Sequence, residues 1–194
     1  MDFNPDKIRL IIGLGNPGKK YADTYHSVGC LTADYLKSQN ILDSRFYILN
    51  SNSYMNESGA FIIKTIKKFG VKPDELLIIQ DDSDIAIGKY KLSFGRGSAG
   101  HKGIESIIKT IKTKNFWRLR IGIRPKKLEV RSQKSEVRLK ANLPAIAQRA
   151  KAGEFVLKKI SKTNQKILNE IFKEIEEILT DTKNPKIYSD KFGD

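Results

Sequence analysis

The chain has 194 residues, 39% of them hydrophobic, and 36 Lys and Arg against 22 Asp and Glu give a formal charge of +14. That length suits one core, so a single domain over residues 1–194 is expected, and the charge favours polyanionic partners without saying which. No apolar segment nears the roughly 18 residues that span a bilayer, MDFNPDKIRL lacks the pattern of a signal peptide, and one cysteine with two histidines is too few for an internal disulfide or a plausible zinc site; a cytoplasmic, membrane-free, metal-free protein is expected.

In chain order, Ile8 to Leu14 reads as a buried strand, and Val28, Leu31, Tyr35 and Leu36 fall at helical spacing after Thr24, a candidate cap. Cys30 between Val28 and Leu31 reads as a small, inert core residue. Arg45 to Leu49 is a candidate short strand. Ser58 to Phe69 carries Ile62, Ile63, Ile66 and Phe69 on one helical face. Val71-Lys72-Pro73-Asp74 then breaks the pattern before the apolar run Leu76 to Ile79, the candidate central strand. Tyr90, Leu92 and Phe94 alternate with polar residues, as do Trp117, Leu119, Ile121 and Ile123, and Ile104, Ile107, Ile108 and Ile111 make a helix between these two strands. The basic stretch from Arg124 to Lys159 shows little periodicity. A terminal amphipathic helix at about 162–180, capped by Ser161, closes the pattern. Alternating strands and helices predict an α/β fold, a three-layer αβα sandwich with a mixed, mostly parallel sheet.

After the first strand, GLGNPGKKYADTYH places Gly13, Gly15 and Gly18 at the spacing of a dinucleotide fingerprint. Such a site needs a helix starting at the third glycine, so that free N–H groups face a pyrophosphate. Pro17 denies helical angles to Asn16 and has no N–H itself, and Lys19-Lys20-Tyr21 follows before any helical pattern. The acid expected about 20 residues on is represented only by Asp34, inside a predicted helix. A nicotinamide-dependent oxidoreductase therefore fits poorly. The segment reads instead as a rigid turn carrying Asn16 and leading to His26 at a helix start, where the helix dipole favours an uncharged imidazole able to act as a base. His26 as a plain helix-end residue is the competing reading. Asn56 in SYMNESG, Asp81 in LLIIQDDSD and His101 in GRGSAGHKG also stand at strand-to-helix or loop positions, where a helix cap, a turn acid and ordinary glycine-turn chemistry are the alternatives.

The order of these segments resembles the bacterial peptidyl-tRNA hydrolase family. GLGNPGKKYADTYHSVG is similar to that family's opening motif, SYMNESG to its Met-Asn motif, DDSDIAIGKYKL to its paired-aspartate block, RGSAGHKGIESII to its glycine-His-Asn loop and WRLRIGIRP to its arginine-bearing strand. The resemblance implies hydrolysis of the ester joining peptide to tRNA in peptidyl-tRNA, recycling tRNA from stalled translation, by a monomer without metal or organic cofactor. It implies His26 as catalytic histidine, Asp81 as its partner, and Asn16 and Asn56 as substrate-holding amides, with His101 and Lys102 in the substrate-facing glycine loop. The partner expected is the acceptor arm and CCA end of tRNA, met through phosphates and by stacking, for which Tyr21 and Tyr25 are candidate platforms. A noncatalytic RNA-binding protein on the same scaffold is the alternative.

The chain departs from the family pattern in places. Tyr25-His26-Ser27 stands where Arg-His-Asn is usual, and Lys102 replaces an Asn, keeping donors but losing an acceptor. The stretch between Tyr35 and Tyr54 is compressed. A basic, lid-like insertion at about 126–153 is enlarged; an ordered lid and a solvated insertion are both open readings of it.

Overall fold

A computed structural model of the protein describes residues 2–39, 46–125, 153 and 155–180. The expected insertion at about 126–153 therefore lies, apart from Gly153, outside the described residues, as does Arg45. In chain order the elements are β1 (Leu10–Gly13), α1 (Val28–Ser38), β2 (Tyr47–Asn50), α2 (Ser58–Phe69), β3 (Leu76–Ala86), β4 (Tyr90–Phe94), α3 (Lys102–Ile111), β5 (Trp117–Arg124) and α4 (Lys162–Thr180), with short 3-10 turns at Tyr25–Ser27 and Met55–Glu57.

The five strands lie in the order β2-β1-β3-β5-β4. All neighbours are parallel except β4, which pairs antiparallel with β5. Strands buried on both faces must be apolar throughout, and alternation then sorts their side chains between two cores. On one face Ile11, Leu77, Ile79, Leu119 and Ile121 pack with Val28, Ala33 and Leu36 of α1 and with Leu168, Ile171, Phe172 and Ile175 of α4. On the other, Leu10, Ile12, Leu76 and Ile78 meet Ile62 and Ile66 of α2 and Ile104 and Ile107 of α3. The result is the expected αβα sandwich with a mixed, mostly parallel sheet.

β3 outruns the apolar stretch that marks it in the sequence. It continues through Gln80, Asp81 and Asp82, all buried, to Ala86. These polar residues are tolerated inside the sheet because they find partners, among them Arg120 Nε, which donates to Asp82 Oδ2 at 2.7 Å. Because β1 leads to β2 on one side and the chain then crosses to β3 on the other, the winding reverses between β1 and β3. Ligands of open α/β sheets gather beyond the carboxyl ends of strands at such a reversal.

Two glycines hold α1 against that reversal. A Cβ on Gly13 would run into the carbonyl oxygen of Gly29, and a Cβ on Gly29 would strike the carbonyl oxygen of Ile79 and, at 2.7 Å, the backbone of Leu14. Gly29→Ala should thus cost about 1–3 kcal/mol or more through overpacking, read as a lowered urea midpoint; an unchanged midpoint would contradict this close approach.

Candidate active site

The start of the glycine loop is tied to the fold through its backbone. Leu14 N donates to Ile79 O at 2.9 Å and Gly15 N to Ser51 Oγ at 3.2 Å, while Leu14 O accepts from Cys30 N at 3.1 Å. Gly18 stands in the left-handed region at φ 95°, and the next helical element after it is the 3-10 turn Tyr25–Ser27, so no helix starts at the third glycine, consistent with the poor fit to a dinucleotide site. Cys30 faces inward, its thiol donating to Gly13 O at 3.3 Å, and burial pushes its pKa up to about 11.

The loop then delivers His26 in a 3-10 turn. Thr24 does not cap this turn with its side chain: its hydroxyl donates backwards to Tyr21 O at 2.8 Å, as the Ser27 hydroxyl does at 2.7 Å. A strap of residues 155–160 anchors the turn from outside. His26 N donates to Val156 O at 2.8 Å, Tyr25 N to Lys158 O at 3.2 Å, and Ile160 N to Asp23 O at 2.8 Å.

Asp81 lies midway along β3 (Leu76–Ala86), 55 positions beyond His26 in the chain, yet His26 Nδ1 is 2.8 Å from its Oδ1. His101 Nε2 reaches the same oxygen at 3.1 Å. His101 is also the N-cap of α3, its Nδ1 accepting from Ile104 N at 3.4 Å. Burial alone would raise the carboxyl of Asp81, but the two imidazoles and their hydrogen bonds hold it well below the usual carboxylate range. For His26, burial opposes protonation, and the charge of Asp81 with its hydrogen bond outweighs it, so the pKa lies above the ordinary 6.5. This corrects the expectation of a ring kept uncharged by its helix start. A helix end carries about half a charge, felt within one turn, whereas Asp81 presents a full charge in direct contact.

With Nδ1 committed to Asp81, Nε2 is the nitrogen of His26 left for chemistry. The ring borders a cavity of about 500 Å³ whose walls include Asp81, Asp82, Asp84, His101 and Lys102. The donor atoms of His26, Asp81 and His101 lie within 4.8 Å of one another, a spacing a metal ion could use. Coordination through His101 Nε2 would move that ring's proton to Nδ1, against the Ile104 N–H, so the hydrogen-bonded reading fits these three side chains better.

The other expected residues sit around this centre in different ways. Asn16 is half-buried, and its Oδ1 accepts from Met55 N at 2.9 Å, which fixes its NH₂ as the group left to donate. Asn56 is exposed within the 3-10 turn; the cap position of α2 is Glu57, so the helix-cap reading of Asn56 fails. Neither asparagine, nor half-buried Tyr21, borders the cavity. Tyr25 is no exposed platform: it is 4% exposed, stacked on Phe155 with centroids 4.6 Å apart, and its hydroxyl accepts from Asn164 Nδ2 at 2.6 Å. Lys102 is exposed on the cavity rim, its Nζ 3.1 Å from Glu105 Oε2.

Sequence reasoning missed two features. Gln80, buried beside the cavity, donates Nε2 to Asp81 O at 3.2 Å and has an Oε1 without a partner among the described residues. A second cavity of about 550 Å³ along β4 and β5 is lined by Lys91, Arg96, Arg118 and Arg120 and meets the first at Ala99. Burial, together with the nearby Arg120 and Arg96, lowers the pKa of the Arg118 guanidinium to about 10. The signal was present: Arg118 and Arg120, two apart on a strand, share one face, and Lys91 pairs with Arg120 across it.

The family model described as peptidyl-tRNA hydrolase matches residues 10–187. The chain belongs to the peptidyl-tRNA hydrolase family. A peptidyl-tRNA hydrolase of Sulfurihydrogenibium sp. (strain YO3AOP1) is 40% identical over 139 residues, covering 63% of this chain and 74% of that protein. One from Aquifex aeolicus (strain VF5) is 37% identical over 140 residues, covering 63% and 73%. The crystal structure of peptidyl-tRNA hydrolase from Acinetobacter baumannii superposes with a TM-score of 0.69 at 25% identity, over 96% of this chain and 95% of that one. Among the described residues of this family member, no helix is long and apolar enough to cross a membrane.

Proposed function

We propose that the chain hydrolyses the ester between peptide and tRNA in peptidyl-tRNA, with His26 as general base and Asp81 as its partner. The observation that carries the assignment is the 2.8 Å contact between His26 Nδ1 and Asp81 Oδ1 beside an open cavity. The uncharged ring takes a proton from water at Nε2 as the water oxygen attacks the ester carbonyl. Asp81 stabilises the imidazolium so formed and holds the ring's orientation. Collapse of the tetrahedral intermediate breaks the bond to the ribose oxygen, which takes the proton back from Nε2 and leaves as the free tRNA hydroxyl; the peptide departs as a carboxylic acid. An aminoacyl-type ester is activated enough for this route to need no Lewis acid. The amides of Asn16 and Asn56 are suited to hold the peptide, and the NH₂ of Asn16 is pre-set to donate because its oxygen is occupied.

The partner is the acceptor arm of tRNA with its CCA end. The basic cavity of Lys91, Arg96, Arg118 and Arg120 adjoins the catalytic one, which suits a backbone phosphate held while the 3′ end reaches His26. Lys102, freed from Glu105, adds a further cation at the rim. Lys102→Asn should then flatten the salt dependence of tRNA binding by about one unit of slope in log Kd against log salt; an unchanged slope removes Lys102 from the phosphate contacts. Release of peptide from purified peptidyl-tRNA tests the activity, and binding without turnover would instead support a noncatalytic RNA-binding scaffold.

A further inference from the structure

Asp81 serves two histidines through one oxygen. His26 Nδ1 and His101 Nε2 approach Oδ1 at 2.8 and 3.1 Å, and the rings lie 5.2 Å apart. Asp81 is 3% exposed and the His101 side chain 9%, so water does not substitute readily for either hydrogen bond. The capping contact settles which nitrogen of His101 carries its proton. Nδ1 must accept from the Ile104 N–H, so the tautomer has its proton on Nε2, pointing at Asp81. Both ring nitrogens are then occupied within the protein, and no polar atom of the ring is left for substrate.

We infer that His101 is a positioning residue that acts through Asp81: it locks the carboxylate by a hydrogen bond from Nε2 and, by sharing Oδ1, limits how strongly Asp81 raises the basicity of His26. The inference rests on the reading of His26 as the base. A second donor draws charge from the carboxylate oxygen, and what it draws is lost to the imidazolium that forms on His26. Without that donor His26 holds its proton to higher pH, and the fraction of enzyme with a usable base at neutral pH falls.

Among the described residues the surroundings offer no competing control. The remaining charged groups bordering the cavity are Asp82, Asp84, Lys102 and Glu105; Asp82 is paired with Arg120 at 2.7 Å and Lys102 with Glu105 at 3.1 Å. Glu57, on the turn packed against α3, is exposed, and on the strap Lys158 is exposed while Lys159 pairs with Asp23 at 3.3 Å. Of all these groups only Asp81 contributes to the shift at His26.

Two substitutions separate positioning from helix capping. His101→Asn keeps a capping oxygen near the place of Nδ1 but is too short to reach Asp81; His101→Gln restores a donor near the place of Nε2. In the Asn variant the acid limb of kcat/KM and the NMR titration of His26 in the free protein should both move up by about half to one pH unit, and in the Gln variant both should return toward wild type. Nitrogen-15 shifts of the wild-type ring should place the His101 proton on Nε2 at the pH of assay. A His26 titration identical in wild type and His101→Asn, or a wild-type proton on His101 Nδ1, would overturn the inference. These readings need no substrate, so failure to hydrolyse peptidyl-tRNA would remove the proposed function and leave them standing.

Discussion

His26→Ala should bind tRNA as wild type does and release peptide about 10²- to 10⁴-fold more slowly. The magnitude follows from what the side chain is asked to do. On the proposed reading it supplies proton transfer alone, with Asp81 orienting the ring and tRNA affinity assigned to the separate basic cavity along β4 and β5. The backbone of His26 is held by Val156 O at 2.8 Å, a bond that alanine retains, so the turn should persist and thermal stability should change little. Equal loss of turnover and of tRNA affinity would mean that the substitution had disrupted the turn or that the histidine contacts tRNA directly. Single-turnover release, measured beside a filter-binding assay with uncharged tRNA, distinguishes these results.

Asp81→Asn should be nearly as damaging, with a distinct signature. The amide is the same size, but its oxygen is a neutral acceptor for two imidazole donors. Burial, the largest influence on His26, is then unopposed by the charge of Asp81, so the pKa of His26 falls and the acid limb of kcat/KM moves to lower pH. The plateau drops by about 10²- to 10⁴-fold because the imidazolium formed during attack has lost its counter-charge. Stability changes in step. The depressed carboxyl of Asp81 contributes stability above its ordinary value of 3.8, lost only as pH falls through its lower folded value. The raised His26 contributes below the ordinary 6.5, and that part fades as pH rises through its higher folded value. The variant should therefore lose stability relative to wild type most between these windows, around pH 4 to 6 as an order-of-magnitude range. An acid limb that stays in place would show that Asp81 does not govern His26.

The sequence made the layers legible because apolar alternation and helical spacing act locally. Leu76 to Ile79 marks the central strand by hydrophobicity, and Ile104 and Ile107 mark the buried face of α3. What escaped was set by contacts between distant segments. The separation of 55 positions between His26 and Asp81 conceals a charge that overrides the helix-start effect, so the direction of the His26 shift could not be read from its neighbours. Tyr25 looks free in its own loop, whereas in the fold its ring stacks on Phe155 and its hydroxyl meets Asn164, residues about 130 to 140 positions away in the chain. The end of β3 was hidden because Gln80, Asp81 and Asp82 look like loop residues until their buried partners are known. The double engagement of Asp81 depends on the cap of α3, 20 residues further along, which no local pattern announces.

The central claim, that unprotonated His26 is the base, is tested most directly by overlaying two pH curves for the wild-type protein: the NMR titration of the His26 ring and the acid limb of kcat/KM for release of peptide from a defined peptidyl-tRNA. The account predicts one midpoint shared by both, above the ordinary histidine value of 6.5. A rate that stays constant while His26 gains its proton would contradict it.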